Sequence, residues 1–252
     1  MTSLYAVYRG ELSKLLSRKK YIVFLIIGAI ICLIWAVLGS VASDLIVRQV
    51  GFLIPLTPTP MGVLPFFLQI LLPFFIFMGV TDLITAESSE HTMKAMLYRP
   101  VERFKLYAGK LLAVLSYAVM YLICVFFVSL VLHQIFGRGL ALSDVANSIA
   151  AYTLTILPLA VLTTFAAFIA LFGRSSTMTM FLLVIIYLVM SVSPIISPIM
   201  AEILFTSYLG WHRVWIGITP GFSRIVRMLL ILFGYGVVFF TAGSLIFDRK
   251  EY

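Results

Sequence analysis

The stretch TAESSEHTMKAMLYRPVERFKLYAGKLL (Thr85–Leu112) is the longest polar interruption between two strongly apolar runs of the chain. It concentrates Glu87, Glu90, His91, Lys94, Arg99, Glu102, Arg103, Lys105 and Lys110, close to a third of all ionisable side chains. The remainder is mostly hydrocarbon: the 252 residues are 62% hydrophobic and 11% charged, with a mean hydropathy of +1.12. A soluble domain carries about 25% charged residues, so the chain reads as a polytopic membrane protein forming one membrane domain. The net charge of +8 does not point to nucleic acid. The basic residues flank apolar runs, where topology and anionic lipid account for them.

Six apolar runs read as membrane-spanning helices: residues 21–42, 63–84, 107–132, 149–172, 178–193 and 225–247. The first is long enough to cross a hydrocarbon core of about 30 Å at about 1.5 Å per residue, and it reads as an uncleaved span rather than a signal peptide. Ahead of it, Leu4, Val7, Tyr8, Glu11, Leu12, Leu15 and Leu16 recur at helical spacing. Arg9, Lys14, Arg18, Lys19 and Lys20 fill the other positions. Residues 1–20 are therefore expected to form an amphipathic interfacial helix with its basic side chains toward lipid headgroups.

Prolines punctuate the rest. Pro55, Pro58 and Pro60 break the connector after the first span, and Pro73 predicts a kink in the second. Asp82 lies near the far end of that span, where a solvated or Arg-paired structural role is expected. Between spans five and six, Pro194 and Pro198 interrupt an apolar stretch, so residues 194–224 read as a broken or re-entrant outer segment carrying Glu202, His212 and Arg213. Trp211 and Trp215 suit an interfacial aromatic belt. Six spans put both termini on one side. Of the 18 basic residues only Arg48, Arg138, Arg213, Arg224 and Arg227 fall on the other, which places the termini and Thr85–Leu112 in the cytoplasm.

No catalytic constellation is encoded. Gly109-Lys110 is followed by leucine, so there is no phosphate-binding loop, and neither HExxH nor GxSxG occurs. The three histidines have no partner at metal-ligand spacing, and Cys32 and Cys124 read as small apolar fillers inside spans. No metal or cofactor is expected on this chain.

Within the polar stretch, Ser88 and Ser89 can start a helix, with Glu87 and Glu90 favourable at its positive end. Thr92 to Tyr98 continue it with Met93, Met96 and Leu97 as an apolar edge, and Pro100 stops it. The joint spacing of Glu87, Glu90, Thr92, Leu97, Pro100, Val101, Arg103, Gly109 and Lys110 resembles the motif of the permease subunits of ABC-2 type transporters, with His91 where that family usually has glycine.

The resemblance implies an all-α membrane protein with six transmembrane helices, an N-terminal interfacial helix and, in residues 85–106, a cytoplasmic coupling helix. It implies that Glu87, Glu90, His91, Thr92, Lys94, Leu97, Arg99, Pro100 and Arg103 meet a separate ABC ATPase, with Glu87 and Glu90 for docking. Arg99, Arg103 and Lys105 would contact that partner or anchor to headgroups. ATP and magnesium would then be held by the ATPase, present in two copies. A second permease, identical or different, and the lipid of a bacterial plasma membrane complete the implied partners. The expected function is export of an antimicrobial peptide, drug or lipid-like molecule. An ion-coupled secondary transporter and a non-transporting membrane immunity or scaffold protein are the competing readings; the first is disfavoured because the centres of the spans lack charge.

Overall fold

The computed structural model describes residues 4–45, 59–89, 102–136, 142–212 and 222–250, and every element among them is helical. Six helices are long and apolar enough to cross a membrane: Lys19–Gly39, Pro60–Ala86, Arg103–Phe136, Leu142–Ala170, Ser176–Ile196 and Ile225–Arg249, called spans 1 to 6 below. The chain is an all-α, multi-pass membrane protein. An additional helix, α1 (Leu4–Ser17), precedes span 1 and is separated from it by a break at Arg18. We call the end of the bundle that carries α1 the basic end, and the opposite one the far end.

Spans 1, 2 and 3 are cemented by aromatic rings. Phe75 stacks between Tyr117 and Tyr121 at centroid distances of 4.9 and 4.8 Å, and Tyr21 meets both Phe75 and Tyr117 edge-on. Hydrocarbon offers no hydrophobic drive between helices, so close packing of this kind must hold them together. Gly28 serves it directly, because a Cβ there would run into the Tyr121 hydroxyl.

Span 2 starts on a capped turn: the Thr59 hydroxyl accepts from the Gly62 amide at 3.0 Å, and Pro60 occupies a first-turn position where its missing N–H costs nothing. Further on the helix widens twice into π turns, Phe67–Leu71 and Thr81–Ala86. In the first, the Leu72 amide reaches the Phe67 carbonyl five residues back.

A proline inside a helix removes the donor for the carbonyl four residues earlier, and water is absent in hydrocarbon to replace it. Three times a side chain from another segment takes that place. The Tyr187 hydroxyl donates to the Gln69 carbonyl, four before Pro73, at 2.7 Å. The Trp211 indole N–H donates to the Leu154 carbonyl, four before Pro158, at 2.7 Å. The Thr206 hydroxyl, with Ser193 from within the helix, donates to the Met190 carbonyl, four before Pro194. Two of these donors belong to the segment between spans 5 and 6, a short helix Pro198–Ile203 and a 3-10 turn Phe205–Gly210. That segment buries Phe205 against Phe165 of span 4 and against Tyr235 and Phe239 of span 6.

Candidate functional site

The polar stretch that organises the sequence begins at the end of span 2 and closes at the start of span 3. Span 2 runs without interruption through its second π turn into Glu87–Ser89, and span 3 begins at Arg103. Helix α1 lies along span 3. It turns Glu11 and Leu15 into the protein and leaves Leu4, Tyr5, Arg9 and Leu16 exposed. The close approach needs Gly109: a Cβ at that position would stand 2.7 Å from a Val7 methyl.

Where α1, span 2 and span 3 meet, four charges form a closed ring. Lys110 Nζ lies 2.5 Å from Glu87 Oε2 and 3.2 Å from Glu11 Oε2. Lys14 Nζ lies 2.8 Å from Glu87 Oε1 and 3.0 Å from Glu11 Oε1. Each carboxylate thus bridges both ammonium groups, and the ring is neutral. Lys110 is 1% exposed, Glu11 3% and Glu87 6%, so none of them could sit there alone. Burial pushes the Glu87 carboxyl up, but the charge and hydrogen bonds of Lys110 and Lys14 outweigh it and hold the group below its ordinary range. Burial likewise pulls the Lys14 ammonium down, and Glu87 with Glu11 outweigh that and raise it.

A second cluster sits one turn inward. Asp82, in the π turn and 4% exposed, receives the Tyr21 hydroxyl at 2.7 Å, with Arg18 at 2.9 Å and Lys20 at 2.5 Å on the same oxygen. The break at Arg18 between α1 and span 1 is therefore pinned to span 2. The Thr85 hydroxyl donates to the Ala170 carbonyl at 3.1 Å and ties the same turn to the end of span 4. Arg103 closes the other flank. Its guanidinium donates to the Asp248 carbonyl and, at 3.3 Å, to that of Lys250, at the end of span 6. Lys250 in turn donates to the Leu171 carbonyl at 2.6 Å, where span 4 ends. Both cations sit where helix carbonyls lack donors and the helix dipole is negative. All six spans except the fifth thus take part in one polar junction at the basic end.

The sequence-derived candidates divide accordingly. Glu87, expected as a docking carboxylate, is turned inward and saturated by lysines. Arg103 caps a helix. Glu90, His91, Thr92, Lys94, Leu97, Arg99 and Pro100 lie outside the described residues, as does Trp215. Of the basic residues expected at headgroups, Arg9 and Lys19 are exposed, whereas Lys14, Arg18 and Lys20 are engaged in the two clusters. Trp211, expected in an interfacial belt, is instead 4% exposed and holds the carbonyl freed by Pro158. His212 is also buried. Among the described residues no group of histidines, cysteines or acids could hold a metal ion.

Sequence reasoning did not place Glu11, Lys110 and Tyr21 in the site. Glu11 carried a signal, being the one acid on an otherwise basic helix and four residues before Leu15 on the buried face. Lys110 carried another, since a lysine after glycine inside an apolar run must find a partner.

Among the described residues the arrangement consists of charges paired with one another or with backbone carbonyls. It joins helices, and it does so at the two ends of the polar stretch. The family model described as ABC-2 family transporter protein matches residues 9–191, which include α1 from Arg9 onward, both ends of the stretch and both charge clusters. A comparison with curated proteins returned no match. With six membrane-crossing helices and a match over most of its length, the chain belongs to the ABC-2 family of transporter membrane proteins.

Proposed function

We propose that the chain is the permease subunit of an ATP-driven exporter in a bacterial plasma membrane, with both termini and the polar junction in the cytoplasm. Its cargo is an amphipathic molecule: an antimicrobial peptide, a drug or a lipid. Two ATPase subunits bind ATP and magnesium and drive it, together with a second permease that is identical or different. The absence of a phosphate-binding loop supports a separate energy source.

The observation that carries the reading is the ring of Glu11, Lys14, Glu87 and Lys110. It clamps together the two ends of the stretch Ser88–Gly109, which by resemblance carries the coupling helix, and fixes both to α1. A push on that stretch from an ATPase is therefore delivered to α1, span 2 and span 3 as one body. Docking falls to residues between the clamped ends, Glu90, Lys94 and Arg99 in particular.

The test is co-purification and reconstitution with a candidate ATPase. Wild-type permease is expected to retain the ATPase and to export cargo on ATP addition. Glu90→Gln combined with Arg99→Gln should lose the ATPase while the permease keeps its thermal stability. Export by the purified chain in vesicles without any ATPase would overturn the proposal.

A further inference from the structure

A cavity of about 1160 Å³ opens at the far end between span 2, span 5, the Pro198–Gly210 segment and the start of span 6. Its chemistry is graded. Deep in it lies Gln69, about 14 Å into span 2 at about 1.5 Å per residue, close to the middle of a hydrocarbon core about 30 Å thick. The Gln69 side chain is exposed, and among the described residues its carboxamide has no hydrogen-bond partner; the Tyr187 hydroxyl donates to its backbone carbonyl. It sits in the first π turn, a distortion that recurs at functional sites. An amide at that depth needs a polar companion in the cavity rather than lipid tails beside it.

At the rim stands a pair of opposite charges, Arg227 Nη1 and Glu202 Oε2, 3.3 Å apart. Their side chains are 67% and 72% exposed, so the pair holds itself together weakly and both groups can exchange partners. To the side, Ile70 and Leu188, both cavity residues, are 45% and 51% exposed, which makes the lateral wall apolar and open toward lipid.

We propose that this cavity binds one zwitterionic phospholipid drawn from the surrounding bilayer. The phosphate replaces Glu202 at Arg227, and the ammonium of the headgroup replaces Arg227 at Glu202. The Gln69 amide donates to an acyl ester carbonyl, and the chains leave past Ile70 and Leu188. A neutral charge pair at the rim selects against an anionic headgroup, which would satisfy Arg227 and leave Glu202 repelled. As cargo the lipid rests on the exporter reading above; as a ligand it does not.

The full-length chain, purified without any ATPase and freed of lipid, is incubated with equal amounts of phosphatidylethanolamine, phosphatidylglycerol and diacylglycerol, and bound lipid is read by native mass spectrometry. One phosphatidylethanolamine per chain is expected in preference to the other two. Gln69→Leu should weaken its retention about tenfold, the loss of one good polar contact, and Glu202→Gln with Arg227→Gln, which removes both charged contacts, by at least as much. Gln69→Asn should keep most of it and serves as the folding control. Equal retention of phosphatidylglycerol, or retention unchanged in both variants, would show only lipid adhering to the outer faces and would overturn the site. Because no ATPase is present, such a failure leaves the exporter reading standing.

Discussion

Replacing Lys110 by methionine keeps the length and apolar stem of the side chain and removes the charge. Glu11 and Glu87 then remain buried, at 3% and 6% exposure, with only Lys14 between them, and the ring changes from neutral to singly negative. Removing one partner of a buried ion pair costs about 3–5 kcal/mol, a large share of the roughly 5–15 kcal/mol that holds a typical fold. For a chain of this size the midpoint of thermal unfolding should fall by on the order of 10 °C, measured in nanodiscs at a fixed scan rate because unfolding of membrane proteins is rarely reversible. Lys14→Ala leaves the same two carboxylates on one lysine but opens the solvent-facing side of the ring, where Lys14 keeps 34% of its side chain exposed, and should cost less than Lys110→Met.

The pH dependence separates this mechanism from simple misfit. In the wild type the Glu87 carboxyl is depressed below its ordinary 4.5, so its contribution is complete above that value and fades only as pH falls through the lowered one. In Lys110→Met the upward push of burial meets only Lys14, and the carboxyl moves up. A raised carboxyl binds its proton more readily folded than unfolded, so the variant should gain stability as pH falls from 7 toward 5 while the wild type does not. Adding Glu11→Gln and Glu87→Gln to Lys110→Met should recover most of the loss at pH 7. Parallel pH profiles, or a midpoint within about 2 °C of wild type, would refute the reasoning.

Two further substitutions probe the packing around this site. Gly109→Val should push α1 off span 3 at a cost of about 1–3 kcal/mol, with partial recovery on adding Val7→Ala, read by the same unfolding assay. Trp211→Phe leaves the Leu154 carbonyl without its donor and should cost about 1–3 kcal/mol. Adding Pro158→Ala restores a backbone N–H to that carbonyl, so the double variant should be more stable than Trp211→Phe alone, and a strictly additive loss would count against the proline account.

The spans were legible because each is a property of a local run. A stretch of apolar residues with charges only at its ends has one inexpensive place to go, and all six were read in order. The junction was not legible in the same way. Glu11 and Lys110 are 99 residues apart, and nothing local distinguishes a lysine that will pair with a distant glutamate from one that will reach a headgroup. The same reason misdirected Trp211. A tryptophan near a span end fits the interfacial belt by composition, but its N–H finds a better acceptor in a carbonyl that a proline on another helix has left free. The inward turn of Glu87 follows from the second π turn, which depends on whether each amide reaches four or five residues back, a choice with no residue signature.

That turn also bears on how the chain could be shortened. Residues five apart stand about 140° from each other around an α-helix at 3.6 residues per turn, but they stack in a π turn, whose bonds join residues five apart. Asp82 lies within this turn and Glu87 directly follows it, and both reach toward the N-terminal segment, one to Arg18 and Lys20, the other to Lys14. Removing one residue between them would convert the turn to α and leave the two acids four apart, again on one side. Thr81–Ala86 therefore behaves as a one-residue insertion absorbed without loss of phase. A deletion at Leu83 or Ile84 should be better tolerated than a deletion two turns earlier, in the α-helical Leu72–Val80, where every downstream side chain would swing by about 100°.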